Sequence, residues 1–158
     1  MKFHLMCIGN TAFPYLNEGC SIYLERLKHY SNFEMLILPD IKNAASKSSQ
    51  QLIEEEGKLI FSKLSKDDLL IVLDENGKQF DSVELSEKIN SFQIQQKKRI
   101  VFLIGGAYGI SDKVKSESHL KWSLSKLTFS HQMIRLLALE QIYRAFTILK
   151  GEPYHHKG

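Results

Sequence analysis

Two segments combine residue types that could hold a small ligand. Ile-Gly-Gly-Ala-Tyr-Gly (104–109) puts three glycines directly behind an apolar run. Glycines let backbone N–H and C=O groups come close to a bound molecule. Their spacing is not that of the dinucleotide loop, and no Gly-Lys-Ser/Thr follows, so neither phosphate motif is present. A tight turn between strand and helix explains the glycines equally well. Ser-Leu-Ser-Lys-Leu-Thr-Phe-Ser-His-Gln (123–132) alternates hydroxyl and apolar side chains. Leu124, Leu127 and Phe129 can wall a slot, while Ser123, Ser125, Thr128 and Ser130 offer hydrogen bonds. Ser130 is also a natural helix cap. Capping does not explain the alternation through the rest of the segment.

A third group lies further on. His131, Arg135, Glu140 and Arg144 follow along one helical segment. Glu140 and Arg144 are four apart and can pair on one face, whereas Arg135 and Glu140, five apart, are poorly placed to do so. The pair reads as surface electrostatics, or as an arginine set to bind phosphate bidentately. The tail Tyr154, His155, His156, Lys157 is either a frayed end or an aromatic ring with imidazoles beside it for stacking and proton transfer. Other chemistries are poorly served. Gly-x-Ser-x-Gly, His-Glu-x-x-His and paired-cysteine motifs are all absent. Asp67, Asp68, Asp74 and Glu75 have no His or Cys at ligand spacing, so no metal is expected.

The elements that must position these residues follow from the apolar pattern. Strands are expected at 2–8, 33–39, 68–74 and 99–106, and 121–129 as a short strand followed by a loop; those at 68–74 and 99–106 are continuous apolar runs of the kind buried on both faces. Helices are expected at 13–29 with Pro14 in the first turn, at 48–64 capped by Ser48 or Ser49, at 82–92 with a Ser cap, briefly within 111–118, and at 131–149. Glu54, Glu55 and Glu56 are expected on the solvated side of the second helix. Glu75-Asn76-Gly77-Lys78 is a turn signal, and 42–50 is a polar loop. The last helix is expected to bury Ile134, Leu137, Ala138, Gln141, Ile142, Ala145 and Ile148. Alternating strands and helices imply an α/β domain with a mostly parallel sheet. Such sheets bind ligands beyond the carboxyl ends of their strands, which selects the loops at 73–78 and 105–110.

At 158 residues, 43% hydrophobic and 25% charged, the chain suits one domain spanning 1–158. No apolar run approaches the roughly 18 residues that cross a membrane. The start lacks a signal-peptide core, and the two cysteines, Cys7 and Cys20, form no framework; a cytoplasmic protein is expected. Residues 1–96 carry 10 Lys/Arg and 14 Asp/Glu, whereas 97–158 carry 11 and 4. A basic C-terminal part points to an anionic partner, nucleic acid first, or is simply a solvated face.

Leu-Ser-Lys-Leu-Thr-Phe-Ser-His-Gln-Met-Ile-Arg continuing to Tyr154 and His155, with 104–109 ahead of it and Leu-Asp-Glu-Asn-Gly-Lys (73–78) upstream, resembles the RlmH family along the whole chain. Its members are small bacterial methyltransferases of the SPOUT class acting on large-subunit ribosomal RNA. The resemblance implies an α/β fold with a deep C-terminal trefoil knot, a feature that general rules of chain topology argue against. It further implies a homodimer, S-adenosylmethionine (SAM) as donor, and methylation of N3 of a pseudouridine in 23S rRNA, with the assembled ribosome as substrate.

Matched by motif, the donor site falls on Leu73, Gly105 and Leu124, Ser125, Lys126, Leu127, Thr128 and Phe129. Ile104 adds a wall, Gly106 adds close backbone approach, and a side chain at Gly105 is expected to block the ligand. Removing the N3 proton calls for a base or a stabilising environment. His131, Glu140 and His155 are candidate bases, Arg135 and Arg144 candidate binders of phosphate or the ring anion, and Tyr154 with His155 the favoured substrate-facing pair. The last helix is the candidate dimer interface. The alternatives are another RNA target for the same enzyme class and a ribosome-binding protein without catalysis. A nicotinamide-dependent oxidoreductase is more remote, since the glycine order is wrong.

Overall fold

The computed structural model describes residues 1–156; Lys157 of the expected tail lies outside the described residues. Five parallel strands form one sheet in the order β2-β1-β4-β3-β5, with β1 Lys2–Ile8, β2 Asn32–Leu38, β3 Asp68–Gln79, β4 Arg99–Ile104 and β5 Leu120–Ser123. The helices are α1 Pro14–Leu27, α2 Ser49–Lys63, α3 Ser82–Ile94, α4 Asp112–Ser116 and α5 Met133–Leu149.

The two-residue period of the strands feeds two cores. Phe3, Leu5 and Cys7 of β1, Leu69 and Ile71 of β3, and Ile100, Phe102 and Ile104 of β4 face one side, packed by Leu27 of α1, Leu85 and Ile89 of α3 and Leu139 and Ile142 of α5. Met6, Ile8, Leu70, Val72, Val101 and Leu103 face the other, against Ile60 of α2 and Val114 of α4. Both faces of the three inner strands are therefore dry, which is why they read as unbroken apolar runs. Each such side chain contributes roughly 1.5–3 kcal/mol of transfer free energy.

Four local expectations are corrected. Residues 75–78 do not turn the chain. β3 runs on to Gln79, and Leu73 and Lys78 both stand opposite Trp122, so the residues between them bulge out of the ladder. The bulge lies against β5, where a Cβ at Gly77 would come within 2.6 Å of the Lys121 carbonyl. The cap of α3 is Asp81 rather than Ser82: its carboxylate accepts the Glu84 N–H, and Glu84 returns the bond to the Asp81 N–H. On α5 the most buried positions include Arg135, Leu139 and Phe146, whereas Ile134, Leu137, Gln141 and Ile148 are only half-buried. Glu56 is half-buried against the glycine loop rather than solvated.

From the sheet edge at Ser123 the chain returns across the carboxyl ends of β3 and β4. It arrives beside the loop after β1, where Gln132 accepts the Ala12 N–H (2.8 Å) and donates to the Asn10 carbonyl (3.1 Å). α5 then runs between α1 and α3. Among the described residues no helix is long and apolar enough to cross a membrane.

Candidate functional site

The returning segment closes a cleft of about 420 Å³ over the ends of β3 and β4. Leu73, Ile104, Gly105, Gly106, Leu124, Ser125, Leu127, Thr128 and Phe129 all line it, joined by His131. Of the expected donor-site residues only Lys126 does not; it points to solvent from the rim. Short-range bonds shape the loop. Ser123 Oγ donates to the Ser125 carbonyl (2.8 Å), and Ser125 Oγ accepts the Leu127 N–H (3.0 Å), a serine-centred turn that sequence alternation alone could suggest. Thr128 Oγ1 donates to Glu75 (2.7 Å), tying the loop to the β3 bulge. Leu127 is 70% exposed, so the apolar wall is open on one side.

The glycine loop closes on itself through a bridge between Gly106 and Gly109, the Gly109 N–H donating to the Gly106 carbonyl (3.1 Å). A Cβ on Gly105 would lie 2.5 Å from the Ile110 side chain and 2.7 Å from the Gly109 carbonyl. A side chain there would press on the loop itself as well as on any ligand. Gly109 has open space around its Cα but φ of +92°, a conformation that side chains resist. Gly109→Ala is expected to cost about 1–2 kcal/mol and lower the melting temperature by roughly 2–8 °C, as thermal unfolding would show.

One pairing at the cleft escaped the sequence reading. Asp74 and Lys115 form an ion pair (3.0 Å) on the cleft floor. Burial pushes the Asp74 carboxyl up, but the Asn76 N–H and Lys115 outweigh it, so the group sits below its ordinary range. Lys115 comes from α4, distant in sequence, and carried no signal. His131 is held below the ordinary imidazole range by burial and then by Arg135, with Asp40 opposing. It is thus neutral at pH 7 and able to accept a proton.

The remaining candidates form a second cluster. Arg144 pairs with Glu140 (2.5 Å) and lies over the Tyr154 ring at 4.7 Å, with His155 Nδ1 at 3.5 Å. Tyr154 donates to Glu140 (3.1 Å) and meets Tyr143 edge-on at 4.8 Å. Its hydroxyl is pushed above its ordinary value by burial first, then by Tyr23 and Glu140. The tail through His155 is therefore packed, not frayed. Four of the expected catalytic residues come together here, away from the cleft. His131 precedes α5, and Glu140 lies seven residues along the helix from Met133, about 10 Å along the axis.

Arg135 belongs to neither group. It is wholly buried, donating to the carbonyls of Gly9 (2.8 Å), Ile8 (2.6 Å) and His131 (3.1 Å) and to Thr11 Oγ1 (3.1 Å). With its donors committed to the backbone, it cannot meet phosphate or a ring anion, which corrects that expectation.

Comparison with known proteins follows the same lines. A family model described as "Predicted SPOUT methyltransferase" matches residues 1–155. Proteins named ribosomal RNA large subunit methyltransferase H align over nearly the full chain. That of Christiangramia forsetii is 48% identical and that of Cytophaga hutchinsonii 51%, each covering 99% of this chain and 100% of the relative. That of Parabacteroides distasonis is 49% identical with the same coverage. Among solved structures, a methylase family protein from Haemophilus influenzae Rd KW20 superposes with a TM-score of 0.52, covering 99% of this chain and 70% of that one at 14% identity, a likeness of fold. The chain belongs to the SPOUT methyltransferases and, within them, to the RlmH family.

Proposed function

We propose that the chain is a single-domain SAM-dependent methyltransferase acting on N3 of a pseudouridine in 23S rRNA, working as a homodimer on the assembled ribosome. The observation that carries the reading is the cleft over β3 and β4. Its apolar walls suit a flat purine, its glycine backbone leaves room for ribose and methionine, and its volume is that of a small-molecule site. When bound there, SAM supplies an electrophilic methyl group.

The chain's own task is positioning. Leu73, Ile104, Leu124 and Phe129 would hold the adenine, and Gly105, Gly106 and Thr128 would border the polar end. Neutral His131 at the cleft, or Glu140 and His155 in the tail cluster, takes the N3 proton. Arg144 and Tyr154 face the RNA. In one chain these two groups stand too far apart to share a base. A two-fold pair brings the tail cluster of one protomer to the cleft of the other, with α5 at the interface. The threading of α5 past the 124–132 segment is where the family's trefoil knot would lie.

The test is methyl transfer from labelled SAM to ribosomes lacking the modification, with pseudouridine or uridine at the target position, followed by nuclease digestion and mass spectrometry at stated salt. Product on pseudouridine alone is expected. SAM binding without transfer would move the target to another RNA. Neither binding nor transfer would leave a ribosome-binding module.

A further inference from the structure

Three tyrosines join the end of α1 to α5 and the tail. The Tyr23 and Tyr143 rings lie 5.8 Å apart, Tyr143 meets Tyr154 at 4.8 Å, and the Tyr23 and Tyr154 hydroxyls are 3.5 Å apart. Each of the three is half-buried. Two guanidinium groups stand on these rings. Arg144 lies over Tyr154, and Arg26, in the last turn of α1, lies over both Tyr23 (5.3 Å) and Tyr143 (5.6 Å). The two arginines differ in their partners. Arg144 pairs with Glu140, whereas Arg26 is exposed and forms no ion pair among the described residues. Acids of the same cluster are engaged elsewhere: Glu25 with Lys28, Glu140 with Arg144 and Tyr154, and Glu152 with Tyr30.

An aromatic ring holds a cation through its quadrupole and offers no acceptor oxygen, so the Arg26 charge is held in place without being neutralised. Contact with two rings restricts the side chain, and an anion that binds it has less rotamer entropy to overcome. The C-terminal dipole of α1 accounts for a positive charge at this point. Lys28, one turn on, would satisfy the dipole equally well and needs no ring. A restrained guanidinium fork with no acid of its own suits two oxygens of one phosphate. Its platform is shared with Tyr154, Arg144 and His155, the groups assigned to the RNA side of the reaction.

We propose that Arg26 binds a backbone phosphate of the RNA substrate, beside the nucleotide that the tail cluster receives. The proposal rests on the RNA-methyltransferase reading, and a binding measurement separate from turnover keeps their failures apart. The full-length protein, Arg26→Gln and Arg26→Lys are titrated with ribosomes lacking the modification over a series of potassium chloride concentrations. KM, kcat, SAM affinity, thermal unfolding and molecular mass in solution are measured on the same samples.

Arg26→Gln is expected to bind ribosomes about fivefold more weakly at about 0.1 M salt, and to lower the slope of log K against log salt by about one, as for one lost phosphate contact. KM for ribosomes should rise by the same factor, with kcat, SAM affinity, melting temperature and mass unchanged. Arg26→Lys keeps the charge without the planar fork, so it should keep the parental slope and bind with intermediate affinity. Parental affinity and slope in Arg26→Gln would overturn the proposal. So would weaker binding at an unchanged slope, which marks packing, or weaker binding with a smaller mass, which marks subunit association. Ribosome binding by the parent without methyl transfer would sink the assigned reaction and leave the salt slopes to decide on Arg26. A parent that binds no ribosomes would overturn both.

Discussion

A chain ending at Gly151 is expected to dimerise and bind SAM normally and to transfer methyl at least about a hundredfold more slowly, the usual scale for losing a positioned acid–base group. The truncation removes Tyr154 and His155 and leaves the Glu140–Arg144 pair and every cleft residue in place. What it takes away is an ordered assembly. Tyr154 is held by Glu140, by the edge of Tyr143 and by the Arg144 guanidinium above its ring. Glu152 anchors the approach by accepting a hydrogen bond from Tyr30. Groups held this way present themselves to substrate without first losing side-chain entropy.

The same truncation tests whether the site is shared between protomers. The truncated chain keeps its cleft. A second chain, its cleft filled by Ser125→Trp, keeps its tail. Neither homodimer should be active. If tail and cleft meet across the two-fold axis, random mixed dimers contain one complete site, and an equimolar mixture should recover about a quarter of parental activity. If each tail serves its own cleft, no mixture recovers anything. The placing of His131 before α5 and of Glu140 well along it favours recovery.

Which features could be read in advance depended on how local their causes are. The strands expected at 2–8, 68–74 and 99–106 followed from apolar runs, and a serine cap for α2, at Ser48 or Ser49, from the residue types ahead of the helix; the structure selects Ser48. The loops of the cleft were legible because a parallel sheet binds ligands at its carboxyl edge. Hidden features all have long-range causes. Residues 75–78 look like a turn until β5 arrives to pair on both sides of the bulge. Asp74 looks like a strand end until Lys115, from another helix, meets it. Glu56 sits in a run of three acids, and only the approach of the glycine loop distinguishes it from Glu54, which is exposed. The residue types of the tail left a frayed end and a substrate-facing pair both open, because its partners on α1 and α5 were not readable from their spacing.

Arg135 shows the same limit with the largest energetic consequence. Flanked by apolar residues on a helix beside a ligand loop, an arginine invites a substrate-binding role. Its burial assigns it to the fold. The guanidinium fork reaches the carbonyls of Ile8 and Gly9 at the end of β1 and Thr11 beyond, while Nε returns to His131 just before its own helix. One side chain therefore joins α5 to the carboxyl end of β1. Arg135→Met matches the length and removes every donor. Each buried carbonyl left unpaired costs about 1–3 kcal/mol, so a total loss of roughly 3–5 kcal/mol is expected. For a domain of this size that is a fall in melting temperature of roughly 6–20 °C. Arg135→Lys keeps the charge but cannot serve three acceptors from one planar fork, so it should fall between. Any loss of methyl transfer in these variants should disappear when activity is measured well below the lowered midpoint. A melting temperature unchanged in Arg135→Met, with methyl transfer lost, would instead make Arg135 a substrate-binding residue.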